Sequence, residues 1–318
     1  MRDVRSFAEH VLKSSSSSQQ VVVLRELALI YRGLSPEDFR VLDVVNALAP
    51  RYEYVPLEEL ERLLRLPPSR IIKSLRSLIE VRALVKHHAM QGFRLTYLGL
   101  DLAALRKLSD SGVLGYLGTR VGVGKESEIY VAKTPAGRLV AVKFYKIGRV
   151  SFQRVKRVRP YAADESRWFV QSKTAAEREY KALKVLSPCT PYVPKVYGHV
   201  DHSVVMEYVQ GVELYRYRAA LSPETILHAI MSALRSAYLD VGLVHGDLSE
   251  YNVLVDVGGG EKPYIIDWPQ YFLRGDPASE EVLRRDVSYI VKFFKRTYGL
   301  EVDVGRCLEF VKGLRDGL

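Results

Sequence analysis

Cysteine is nearly absent: Cys189 and Cys307 are the only two in 318 residues, far apart and without a C-x-x-C pair. That excludes a disulfide framework and a cysteine-built zinc site, and it suits a reducing cytosol. No apolar run approaches the roughly eighteen residues of a membrane span. The first residues also lack the charged-then-apolar layout of a secretory signal. The expectation is a cytoplasmic protein without membrane attachment. Acid is scarce relative to base, since 47 Lys and Arg against 37 Asp and Glu leave a formal charge of +10. Such an excess favours polyanionic partners and says nothing about fold. A hydrophobic content of 47% supplies a core, and the length allows two or three domains.

Ser14 to Ser18 form a serine run with no periodicity, read as a flexible tail or short linker. Helical patterning begins at "SPEDFRVLDVVNAL", with Ser35 as N-cap, Pro36 at the first helical position and acids in the first turn. "PLEELERLLRL" and "PPSRIIKSLRSLIEVRAL" read as two further helices. In "VKHHAMQGFRLTYLGL", Gly92 separates two apolar-alternating runs, a hairpin pattern. Three short helices and a hairpin predict a winged helix over residues 1–95. A connecting helix over 96–112 follows, and from Val113 the texture changes to short strands and glycine turns. Arg70, Lys73 and Arg76 share one face of the third helix. A DNA or RNA reader carries its recognition helix there, and a protein-docking module would show an ordinary charged face.

"GVGKES", Gly122 to Ser127, poses a choice between two phosphate loops. A Walker loop needs G-x-x-x-x-G-K-[ST]. Counting back from Gly124 and Lys125, its first glycine falls on Thr119, and Glu126 follows the lysine. Both requirements fail. A kinase-type flap fits, because the glycine turn lies between two β-rich runs. Gly122, Gly124, Lys125, Glu126 and Ser127 would line it. Lys143, nineteen residues on within "VAVKFY", matches the strand lysine that pairs nucleotide phosphates.

The C-terminal half strengthens that reading. "VHGDLSEYNVLV" holds Asp247 and, five residues later, Asn252. Kinases use this spacing so that the Asp meets the attacking hydroxyl while the Asn reaches metal. Asp267 ends the apolar run "IIDWPQ" and is placed to hold Mg²⁺. Four elements in the right order make coincidence a poor account. In "TAAEREYKALKVL", Glu179 is the first choice of partner for Lys143 and Glu177 the second. "SVVMEYVQG" fits the hinge, where the Glu207 carbonyl and Val209 amide would meet adenine. These spans predict an N-lobe over 113–210 and a C-lobe over 211–318. Between Lys146 and Arg159 six basic residues occur without an acid. They read either as a solvated loop or as an arm on RNA phosphates. The span 146–172 is expected to be mobile, with Ser151, Ser166 and Ser172 as candidate phosphoacceptors.

With these residues in place, the chain resembles the RIO atypical protein kinases, in the branch with an N-terminal winged helix. "GVGKES" is similar to that branch's glycine loop, "HGDLSEYN" to its catalytic loop and "IDWPQ" to its metal-binding strand. "GRVSFQRVKRVR" resembles its N-lobe loop and "RRDVSYIVKFF" its C-terminal helix. The resemblance covers nearly the whole chain. It implies an α+β architecture, a winged helix followed by a reduced bilobal kinase-like fold. It further implies ATP with Mg²⁺ (or Mn²⁺), serine autophosphorylation, and action on the pre-ribosomal small subunit and its rRNA. Asp247 would be the catalytic base, Lys143 would position phosphates, and Asn252 and Asp267 would hold metal. His-Gly-Asp replaces the usual His-Arg-Asp, Asp-Trp-Pro replaces Asp-Phe-Gly, and no Ala-Pro-Glu segment follows. The alternative is a nucleotide-gated RNA-binding clamp with little phosphotransfer. A small-alcohol kinase with an HGD loop is a third reading, which the winged helix and basic segment disfavour.

Overall fold

The computed structural model describes residues 27–148 and 165–318. The serine run and the basic residues from Arg149 to Arg159, with Ser151, lie outside them. α1 (Pro36–Leu48) opens on a reciprocal cap. The Asp38 amide donates to Ser35 Oγ at 3.2 Å, and the Ser35 amide donates to the Asp38 carboxylate at 2.8 Å. β1 (Val55–Pro56), α2 (Leu57–Leu64), α3 (Pro68–Glu80), β2 (Leu84–Lys86) and β3 (Gly92–Leu95) complete the winged helix, with strand order β1-β3-β2. Arg70, Lys73 and Arg76 are all exposed on α3, and Arg70 pairs with Glu37 of α1.

α4 (Tyr97–Asp110), the helix that connects the winged helix to the next sheet, is packed into the core. Residues from Gly99 to Leu105, and Leu108, are buried. Gly99 is needed for that approach, because a Cβ there would come within 2.2 Å of the Ala83 carbonyl oxygen.

β4 (Tyr116–Val123), β5 (Ser127–Lys133), β6 (Leu139–Tyr145), β7 (Val196–Val200) and β8 (Ser203–Glu207) form an antiparallel sheet, ordered β4-β5-β6-β8-β7. The two-residue period of β6 divides its side chains. Val140, Val142 and Phe144 join the winged-helix core, with Leu100 and Leu105 of α4. Ala141 and Tyr145 join the second core, with α5 (Glu165–Leu186) and the C-lobe. Phe144 is fully buried, which favours the folded state by roughly 1.5–3 kcal/mol.

The C-lobe contains β9 (Val212–Glu213), α6 (Pro223–Ser236), β10 (Leu243–Val244), β11 (Val253–Asp256), β12 (Lys262–Ile265), β13 (Phe272–Leu273), α7 (Ser279–Tyr298) and α8 (Val304–Val311). A π-helical turn at Ala237–Val241 ends α6, and Gly242 leaves it at φ +77°. Two small sheets, β12-β11-β9 and β10-β13, hold the loops of the site. Among the described residues no helix is long and apolar enough to cross a membrane.

Two sequence expectations are corrected. Lys146 is not the head of a solvated basic loop. It is 6% exposed, and its Nζ lies 2.7 Å from Asp101 Oδ2 and 2.8 Å from Glu128 Oε2. Ser172 is not in a mobile segment either, since α5 begins at Glu165 and Ser172 is wholly buried within it. That removes Ser172 as a phosphoacceptor.

Candidate active site

β6 presents Lys143 on the face opposite its winged-helix contacts. Lys143 Nζ lies 2.9 Å from Glu179 Oε1 on α5 and 2.9 Å from Asp267 Oδ1. Burial works against its charge, and the Asp267 and Glu179 carboxylates outweigh burial, so its proton is held more tightly than an ordinary lysine's. Glu177, the second choice, faces solvent and pairs with Lys181 at 2.6 Å. Asp267 has a positive φ of +68° and a side chain 41% exposed. Desolvation opposes its ionisation, yet the Lys143 ammonium keeps its carboxyl below the usual range.

The loop from His245 to Asn252 is fixed by bonds between its own side chains and backbone. Asn252 Nδ2 donates to the Asp247 carbonyl at 2.7 Å, and the Asp247 amide donates to His245 Nδ1 at 3.2 Å. His245 Nε2 then donates to the Ile266 carbonyl at 3.0 Å, which ties this loop to the residue before Asp267. Burial favours the neutral ring, and the two bonds fix its tautomer. Asp247 is exposed.

The glycine turn spans 124–126 between β4 and β5, closed by Gly124 N donating to the Ser127 carbonyl at 2.8 Å. Gly122 is still on β4, opposite Ile129. Lys125 and Glu126 are exposed, and the Lys146 amide donates to the Glu126 carbonyl at 2.6 Å. β8 ends at Glu207, whose amide donates to the Lys195 carbonyl at 2.7 Å. Val209 follows in the short link to Gly211.

Mg²⁺ needs only one or two protein oxygens when phosphates supply others. The Asp267 carboxylate and the Asn252 side-chain oxygen fit that need, because the Asn252 nitrogen is already engaged by Asp247. Among the described residues no group of three or more His, Cys, Asp or Glu could form a closed protein-only metal centre. The donor set therefore suits a cation shared with a nucleotide.

A model of the RIO domain matches residues 128–306, and one of the Rio2 N-terminal region matches residues 31–111. The chain belongs to the RIO kinases, in the Rio2 branch. It is 32% identical over 277 residues to the serine/threonine-protein kinase rio2 of Schizosaccharomyces pombe, covering 86% of this chain and 80% of that one. It is 33% identical over 272 residues to the RIO-type serine/threonine-protein kinase Rio2 of Methanocaldococcus jannaschii, covering 82% and 98%. The Rio2 kinase of Chaetomium thermophilum, solved as an ADP/Mg²⁺-phosphoaspartate complex, superposes with a TM-score of 0.75 at 30% identity, covering 87% and 86%. Membership sets aside the small-alcohol kinase.

Three further residues hold this candidate site together, and none is marked by a motif. Tyr145 donates to Glu179 Oε2 at 2.7 Å, and burial keeps its phenol protonated. Asp286 on α7 accepts the Gly246 amide at 2.8 Å and anchors the catalytic loop from below. Arg178 donates from Nε to the Pro269 carbonyl at 2.7 Å and also holds the Tyr271 carbonyl, pinning the segment after Asp267. Trp268 is fully buried, with its indole donating to the Ile265 carbonyl at 3.1 Å. Gly246 explains the His-Gly-Asp variant of the Rio2 loop. It has φ +90°, and a Cβ would come within 2.3 Å of the Gln270 carbonyl oxygen. An arginine does not fit there.

The placement of Asp267 predicts an asymmetry between the two aspartates. Asp267→Ala is expected to lose Mg²⁺–ATP affinity in calorimetry more severely than Asp247→Ala, since Asp267 pairs with Lys143 while the Asp247 side chain is exposed. Equal affinities would reverse the two roles.

Proposed function

We propose that this chain is a Mg²⁺–ATP phosphotransferase and ATPase that acts, in the cytoplasm, on a maturing small ribosomal subunit and binds its rRNA. The observation that supports this most is the union in one chain of the Lys143–Glu179–Asp267 cluster, the Asp247–Asn252 loop and a winged helix with an exposed basic stripe. Lys143 holds the phosphates of the nucleotide and Asp267 and Asn252 hold the cation. Mg²⁺ held by Asp267 and Asn252 would supply positive charge to the nucleotide's phosphates. Adenine lies against the Glu207–Val209 link, and the residues from Gly122 to Ser127 cover the phosphates. Asp247 orients the nucleophile, a serine hydroxyl or water, and takes its proton as the γ-phosphoryl leaves ADP. The phosphoaspartate in the Chaetomium relative supports a second route, in which a site carboxylate attacks the γ-phosphorus in place of the hydroxyl, ADP leaves, and water then cleaves the acyl phosphate to release phosphate. Positioning and charge stabilisation supply most of such catalysis.

Phosphate release from ATP, with and without a small-subunit RNA fragment, tests the chemistry. A chain that binds ATP and RNA and releases no phosphate would be the nucleotide-gated clamp instead. RNA contact has its own signature in salt. Replacing Arg70, Lys73 and Arg76 with alanine should flatten the log–log salt slope of filter binding by roughly two units, at about 0.7 per phosphate contact on single strands. Replacing Arg154, Lys156, Arg157 and Arg159 should flatten it separately by roughly two to three units. Unchanged slopes in both would return these charges to ordinary solvated surface.

A further inference from the structure

Tyr97 is the first residue of α4, and its hydroxyl lies where three elements meet. It donates to the Ile147 carbonyl at 2.6 Å and lies 3.0 Å from Ser172 Oγ, while the Ile147 amide donates to the same Ser172 Oγ at 3.0 Å. One assignment uses every proton: Ile147 N–H to Ser172, Ser172 O–H to Tyr97, Tyr97 O–H to Ile147. Such a closed ring fixes each group by the other two. Ile147 follows the strand that carries Lys143. Ser172 belongs to the helix that carries Glu179, seven residues on and therefore two turns away on nearly the same face. The hydroxyl thus joins the carriers of both partners.

A second attachment lies beside the first. Lys173 Nζ is 2.7 Å from Asn46 Oδ1 on α1 and 3.2 Å from Asp201 Oδ1. Asn46 Nδ2 reaches Asp201 Oδ2 at 3.1 Å, and Lys107 of α4 reaches the same oxygen at 3.0 Å. Phe169 stacks edge-on to Tyr97 at 5.0 Å. Consecutive residues of α5 are therefore fastened to two helices of the winged-helix domain.

We propose that Tyr97, with the Asn46–Lys173 contact as a second anchor, is a positioning residue for the Lys143–Glu179 pair, so that the winged-helix domain sets the geometry of the nucleotide site. This rests on reading Lys143 and Glu179 as part of the nucleotide site. A misplacement of about 1 Å is enough to cost roughly 100-fold in rate, so small rotations of α5 register at Lys143.

The test is calorimetry of Mg²⁺–ATP on the full chain, well below each variant's unfolding midpoint. Tyr97→Phe keeps the ring and removes the hydroxyl, and it should weaken binding by roughly 5- to 20-fold, the worth of about one to two hydrogen bonds. Lys173→Met should act in the same direction through the other anchor. Glu179→Gln should weaken binding by itself, and adding Tyr97→Phe to it should then cost less than about 2-fold, because a residue acting through Glu179 is not additive with it. Fully additive losses would show general loosening and overturn the proposal. Unchanged affinity in folded Tyr97→Phe and Lys173→Met, with Glu179→Gln impaired, would overturn it while sparing the site. Unchanged affinity in Glu179→Gln would overturn the site reading and the proposal together.

Discussion

Lys143→Ala is expected to reduce ATP turnover by roughly 100-fold or more, the scale of losing alignment in a reaction that depends on it. The fold should survive. Glu179 keeps the Tyr145 hydroxyl at 2.7 Å as a donor, and the Asp267 side chain, 41% exposed, regains water. Phosphate release measured beside the circular dichroism of the same sample separates the two effects. Turnover within a few-fold of the parent would remove Lys143 from the site.

Lys146, three residues away, should behave in the opposite way. It is paired with Asp101 and Glu128, whose side chains are 3% and 4% exposed. Removing one partner of a buried ion pair leaves an uncompensated charge and costs roughly 3–5 kcal/mol. Lys146→Met should fall near the lower end, because Arg120 still reaches Glu128 at 3.2 Å and His202 still reaches Asp101 at 2.8 Å. Urea unfolding reads the loss directly. A change under about 1 kcal/mol, the range of exposed pairs, would mean that the cluster relaxes around the gap.

These two lysines also mark what sequence reveals and what it hides. Lys143 stands out in the sequence because its spacing from the glycine turn and from Asp247, Asn252 and Asp267 matches one chemistry, and the fold pairs it with Glu179 and Asp267. Lys146 was misread because its partners come from remote stretches, Asp101 lying forty-five positions upstream. Charge along a chain shows that a lysine is present, not whether a carboxylate meets it inside. Asp286 stayed hidden for the same reason, since it serves amides some forty positions earlier. Tyr145 was hidden differently. In "VAVKFY" an aromatic is ordinary strand composition, and only the pairing of β6 with α5 reveals its hydroxyl on Glu179. The winged helix itself was plain in the caps and prolines of its helices. The burial of α4 was not, because its charged flanks resemble those of a connector.

The sheet between the two cores has a consequence for how the molecule comes apart. Val140, Val142 and Phe144 are covered by the winged-helix side, while Ala141 and Tyr145 of the same strand are covered by the catalytic side. Excising residues up to 112 would strip one face of the strand that holds Lys143 and leave apolar surface open to water. The shared strand predicts that the sequence-defined domains do not fold separately. Heating should melt the winged helix and abolish nucleotide binding in one cooperative transition, with the same midpoint by either probe. A catalytic half expressed without its N-terminal partner should be recovered as aggregate, and a partner that pries the winged helix from the sheet would silence the kinase by unfolding it from behind.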